Sequence, residues 1–116
     1  MSVEKKAIEI AKEYLESQGL TVKPAESGSG YDLEGDDGSA WEVKGTSWKV
    51  RKIDFIPTEY HAMQTHPDWH LIFVTEVNDS PKVFALSLDE VLARGHPYEA
   101  FYLPLGRRDL EQFRVS

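Results

Sequence analysis

Residues 71–77, Leu-Ile-Phe-Val-Thr-Glu-Val, are the most hydrophobic stretch of the chain. A run this short does not span a membrane, which takes about 20 apolar residues. A strand without polar alternation belongs inside a sheet. The segment therefore reads as a central strand, and the rest of the chain is organised around it. No other apolar run among the 116 residues approaches a spanning length, and the N-terminal Met-Ser-Val-Glu-Lys-Lys lacks the apolar stretch of a secretory leader. There is no cysteine, which rules out disulfides and cysteine-held zinc. A cytoplasmic location is expected.

Helical periodicity runs over 3–17, where Val3, Ala7, Ile10, Ala11, Tyr14 and Leu15 make one apolar face. Ser2 is the expected N-cap and Gly19 the stop. Residues 20–22 are extended, closed by Pro24, and 26–31 form a connection. A short strand over 31–33, an Asp-Gly turn within 34–39 and a returning strand over 40–44 make a hairpin. Residues 49–53 continue as strand or loop. Thr58 is the expected N-cap of a helix that reaches 65 and is ended by Pro67. After the central strand, 82–86 returns as its partner. Ser87-Leu-Asp-Glu is a capping box that opens a helix to about residue 93. A last strand is expected within 98–103 and a terminal helix within 106–116. The order predicts one α/β domain over 1–116, a mixed central sheet flanked by helices.

Chemistry concentrates in the hairpin. Side chains two apart on a strand share a face, so Glu42 and Lys44 project together while Trp41 and Val43 point the other way. The turn brings Asp32 alongside Glu42. Paired carboxylates on adjacent strands suit a hard cation such as Mg²⁺ or Mn²⁺. A neighbouring lysine can orient the attacking water and neutralise developing charge. From spacing alone, the plainer reading is a hairpin with a solvated polar face.

Net charge is −7, which opposes strong non-specific nucleic-acid binding. The cations are unevenly spread: Lys44, Lys49, Arg51 and Lys52 lie within nine residues. They form either a local positive surface or an ordinary solvated strand and loop. Trp48 beside them is either a base-stacking platform or, by tryptophan's usual preference, partly buried. Thr46 and Ser47 can contact phosphate or simply close the strand. His61, His66 and His70 read as scattered surface histidines. Asp36 and Asp37 read as turn formers. Arg107 and Arg108 have no fixed place. Tyr98, Phe101 and Tyr102 serve either a homodimer interface or an edge of the core.

A helix carrying Glu4-x-x-Ala7, then Gly30-Tyr31-Asp32, then Trp41-Glu-Val-Lys-Gly-Thr46 resembles the PD-(D/E)XK nuclease superfamily. More narrowly, the pattern is similar to the domains related to the C-terminus of the plant NO VEIN protein. Phe55-Ile-Pro-Thr-Glu-Tyr60 and the strand after it fit the same pattern, which covers roughly 3–86; the last thirty residues match nothing in it. The resemblance implies a restriction-endonuclease-like fold. It also implies a metal held by Asp32 and Glu42, with Lys44 catalytic, and a further glutamate from the first helix. At about 100° per residue, Glu4 lies in line with Ala11 and Leu15 and is the candidate, whereas Glu9 points to solvent. The implied activity is Mg²⁺- or Mn²⁺-dependent cleavage of DNA, endo or exo; the basic cluster itself offers Lys49, Arg51, Lys52 and Trp48 as candidate nucleic-acid contacts. A homodimer, or a larger defence or repair protein, is the expected partner. The alternative, which the acidic charge favours, is an inactive nuclease-fold module that binds nucleic acid or a protein.

Overall fold

The computed structural model describes residues 1–49, 52–96 and 101–116, with the side chains of Phe101, Tyr102 and Arg107 left outside the description. Helix α1 (Val3–Ser17) starts where expected, with Ser2 Oγ accepting from the Lys5 amide at 3.1 Å. It stops before Gly19, whose φ of +88° is the left-handed value that glycine adopts without strain.

The main sheet holds β1 (Val22–Pro24), β2 (Leu33–Gly35), β3 (Ala40–Gly45), β5 (Trp69–Thr75) and β6 (Lys82–Ser87), in the order β1-β2-β3-β5-β6. Neighbours are antiparallel except β3 and β5, which run parallel. A parallel pair needs a long crossover. Here that crossover carries β4 (Lys52–Phe55) and helix α2 (Pro57–Thr65). After β6 come α3 (Leu88–Arg94), β7 (Phe101–Pro104) and α4 (Arg107–Glu111), with β7 pairing antiparallel to β4 in a second, two-stranded sheet. The fold is α/β, a mixed sheet flanked by helices.

Strand β5 is buried from both sides, as its composition requires. Ile72 and Val74 join Ala7, Ala11 and Leu15 of α1, together with Val43, in one cluster. Leu71 and Phe73 point the other way, into a cluster with Phe55, Met63, Leu103, Leu105 and Phe113. The sheet therefore separates a core under α1 from a larger core under α2, β4 and the C-terminal segment.

Several boundaries differ from the sequence reading. Strand β2 begins at Leu33, so Tyr31 and Asp32 lie just before it. Helix α2 begins at Pro57 with Ile56, not Thr58, as N-cap. Proline is pre-set for the first helical position, and the Glu59 side chain supplies the acceptor that Ile56 lacks. Its Oε1 takes the Ile56 amide at 2.9 Å. His66 leaves the helix with ψ 132°, the extended value imposed by the following Pro67. Helix α4 ends at Glu111, and the tail instead runs back along β6, with Val115 N donating to the Val83 carbonyl at 2.8 Å. Of the residues weighed for a dimer, Tyr98 lies outside the described residues, while the backbones of Phe101 and Tyr102 are in β7, opposite Phe55 and Asp54.

Candidate active site

The hairpin register pairs Leu33 with Trp41 and Glu34 with Ala40. Continued by one residue, it sets Asp32 opposite Glu42. Asp32 holds this place by its main chain and its side chain. Its amide donates to the Trp41 carbonyl at 3.1 Å, and its Oδ2 accepts from the Val43 amide at 2.8 Å. The carboxylate thus accepts from the main chain of the partner strand, as a strand residue's carbonyl would.

Glu42 is only 2% exposed, and its Oε2 has no hydrogen-bond partner. It meets the Asp32 carboxyl through a side-chain hydrogen bond. Burial first, then the hydrogen bond and charge of Asp32, then the charge of Glu59, push the Glu42 carboxyl up to about 10; Lys44 pulls the other way and is outweighed. A buried carboxyl beside a second one, with an oxygen left over, is a donor set suited to a divalent cation. The residues present fit such an ion.

Lys44 projects from the same face of β3. Its Nζ is 2.7 Å from Glu59 Oε1 and 5.3 Å from the centre of the Phe55 ring. Both groups of the pair are mostly shielded, at 23% and 17% side-chain exposure. Glu59 is the member the sequence reading missed. One oxygen caps α2 and anchors the lysine. The sequence signal was the proline start of α2, which puts Glu59 at the third helical position, where a capping glutamate belongs.

Two glycines of the recognised pattern explain how the helices reach the site. At Gly30, φ is +87° and a Cβ would strike the Thr58 carbonyl oxygen and crowd Ala62 Cβ at 2.9 Å, so glycine lets α2 close over the hairpin. At Gly45 a Cβ would strike that of Ala7, so glycine lets α1 seat on the sheet.

Glu4 is not brought to this cluster. It is exposed, on the helix that covers the Val43 face rather than the Glu42 face. Its angle on the helix matches that of Ala11 and Leu15, but its axial position does not. Gly45, the last residue of β3, already lies under Ala7 and the Val3 carbonyl, so the first turn of α1 reaches the end of the strand. Among the described residues no three acidic or histidine side chains are grouped to hold an ion. The histidines are engaged separately. His66 Nδ1 accepts from the Asp68 amide at 3.0 Å, while His70 pairs with Asp68 at 2.6 Å and stacks on Trp41 at 4.3 Å. His61 is exposed, and Asp37 accepts from the Ser39 amide at 3.0 Å, as a turn former does.

Next to Lys44 a cleft of about 890 Å³ opens between the end of β3 and β4. Lys49, Lys52, Thr46 and Ser47 line it. Trp48 lines it too and, against tryptophan's usual burial, is 78% exposed. Arg51 lies outside the described residues, and Arg108 is exposed on α4, outside the cleft.

Two comparisons bear on this arrangement. The family model described as Protein NO VEIN, C-terminal, matches residues 3–86, from α1 through most of β6. No curated protein matches the chain.

Proposed function

We propose, from the premise that the chain belongs to the family of the NO VEIN C-terminal domain, that it is a PD-(D/E)XK-type nuclease domain hydrolysing DNA phosphodiester bonds with Mg²⁺ or Mn²⁺. The observation that carries this reading is Glu42. A carboxyl buried beside another carboxyl, with one oxygen unpartnered, destabilises the fold. An apolar residue of similar size would pack there without that penalty. Such a strained titratable pair is what a metal-dependent site requires.

Asp32 and Glu42 would hold the cation. When bound, it polarises a phosphoryl oxygen and makes its water more acidic. The chain's own groups do the rest. The Val43 amide fixes the orientation of the Asp32 carboxylate. Lys44 presents an ammonium to the attacking water and to the charge growing on the phosphate. Glu59 holds that ammonium on the Glu42 side of the sheet. Lys49, Lys52 and Arg51 provide phosphate contacts.

A second reading, a non-catalytic binding module, draws on the 2.7 Å engagement of Lys44 with Glu59 and on the net charge of −7. One experiment separates the two. Purified protein is incubated with plasmid and single-stranded DNA in Mg²⁺ or Mn²⁺. Cleavage is expected from the wild type, with a loss of at least ~100-fold in Lys44→Ala. Equal cleavage by the variant, or none by the wild type at any metal concentration, overturns the nuclease reading.

A further inference from the structure

We infer that the cleft beside Lys44 takes an unpaired nucleotide, and that the chain therefore engages single-stranded nucleic acid in preference to duplex. The inference rests on the nuclease reading only in taking Lys44, which lines the cleft, as a catalytic group.

The first observation is the size and make-up of the cleft. Its volume of about 890 Å³ lies in the range of pockets that enclose a small ligand, roughly 300–1,000 Å³. It is far too small for a double helix. Buried Ile53 and Phe73 supply apolar lining. Trp48 stands 78% exposed against that lining. An aromatic ring of this kind can stack on a base only when the base's face is free, which means at an end, in a single strand or after extrusion from the duplex.

The second observation is charge. Lys49 and Lys52 are exposed in the same cleft as Lys44. Two carboxylates are present as well. Glu76 is held by Lys82 at 2.8 Å and by the Thr75 hydroxyl at 3.1 Å. Asp54 is exposed and 3.6 Å from Lys52. A surface built to track a long phosphate backbone would exclude acids. A pocket that reads a base can use one, because a carboxylate accepts from exocyclic amino groups. On the pairing edge, those donors are free only in an unpaired base. Few lysines and one solvent-exposed acid, Asp54, favour a single nucleotide over an extended duplex, and they reconcile nucleic-acid binding with the net charge of −7.

Position gives the third observation. Lys44 lines the cleft, and Glu42 lies two residues back on the same strand face, about 7 Å away along the strand. A nucleotide seated on Trp48 thus occupies the same cleft as Lys44, the neighbour of Glu42 on that strand face.

The test uses the full chain in EDTA, so binding is read without cleavage. A single strand of about twelve dA and dC nucleotides, whose bases carry exocyclic amino groups, and a blunt duplex of the same length are titrated while tryptophan emission and fluorescence anisotropy are followed. Trp69 is buried and Trp41 is stacked on His70, so Trp48 is the responsive fluorophore. The expected result is quenching and binding with the single strand and at least ~10-fold weaker binding of the duplex. Trp48→Ala should weaken single-strand binding by roughly tenfold or more, and Trp48→Phe should retain most of it. Trp48 is too exposed for either change to unfold the chain, which circular dichroism checks. Equal affinity for duplex and single strand, unchanged affinity in Trp48→Ala, or no binding of either oligonucleotide overturns the inference. Binding as expected in EDTA without hydrolysis on adding Mn²⁺ sustains the inference and overturns the nuclease reading. Hydrolysis with Mn²⁺ without selective binding does the reverse.

Discussion

Glu42 makes the protein's stability depend on pH in an unusual direction. A carboxyl whose folded pKa exceeds its unfolded one keeps a proton that the unfolded chain releases. Its contribution is fully present below the ordinary carboxyl value of 4.5 and is lost as pH rises toward about 10. Carboxylates paired with a cation or a hydrogen-bond donor lose stability toward acid; this site drives the opposite trend. At pH 7 the metal-free chain gives up at most roughly 3 kcal/mol relative to acid, a large share of a typical 5–15 kcal/mol. Glu42→Gln keeps the shape, donates an N–H to Asp32 and removes the titration. Denaturant unfolding between pH 5 and 9 should show wild-type stability falling and the Gln variant flat and more stable at the alkaline end. Added Mn²⁺ should raise the wild type at high pH and leave the variant unmoved. A flat wild-type profile would mean that Glu42 titrates as an ordinary carboxyl.

At the scale of elements, the helices reach the sheet through two glycines, and this is testable by contrast. Gly28 and Gly30 have nearly the same φ, +85° and +87°, but Gly28 has nothing within 4 Å of a Cβ. Gly28→Ala therefore pays only the left-handed strain of about 1–2 kcal/mol. Gly30→Ala adds the collision with the Thr58 carbonyl and should lose about 2–5 kcal/mol in all. A thermal melt of both variants reads the difference, and equal shifts would show that α2 does not press on Gly30. This close approach also sets what was legible beforehand. Helix α1, the hairpin, β5, β6 and the Ser87 capping box follow from local periodicity and capping chemistry, which act within a few residues. The opposition of Asp32 and Glu42 was legible too, because a two-fold side-chain period and one turn fix it. Glu59 and the seating of α1 were not. They depend on where one element ends over another, an axial offset that a helical wheel does not contain. Trp48 was open between a stacking platform and a partly buried ring, and its 78% exposure departs from the second. A burial preference averages over proteins and does not fix the exposure of a single ring.

At the scale of the molecule, the family match and the folding unit do not coincide. The match ends at residue 86, yet Leu103, Leu105, Leu110 and Phe113 are buried in the same core as Phe55, Met63 and Trp69. Strand β7 is the partner of β4, whose Lys52, Ile53 and Asp54 line the cleft. The tail residues 113–116 cover the edge of β6, with the Ala85 amide donating to the Phe113 carbonyl at 3.1 Å. The segment with no recognised pattern thus completes the core on the Glu42 side of the sheet and closes one of its edges. Burial of a large apolar side chain is worth about 1.5–3 kcal/mol. Four such side chains together therefore contribute about as much as the whole stability of a small domain. A chain cut after residue 87 keeps the Asp32–Glu42 hairpin and every residue of the matched family pattern. It should nonetheless fail to fold, with no cooperative melt, strong binding of a hydrophobic dye and no Mn²⁺-dependent stabilisation. A cooperative melt from the truncated chain would show that the α1 core alone sustains the sheet, and that the C-terminal segment serves only the cleft.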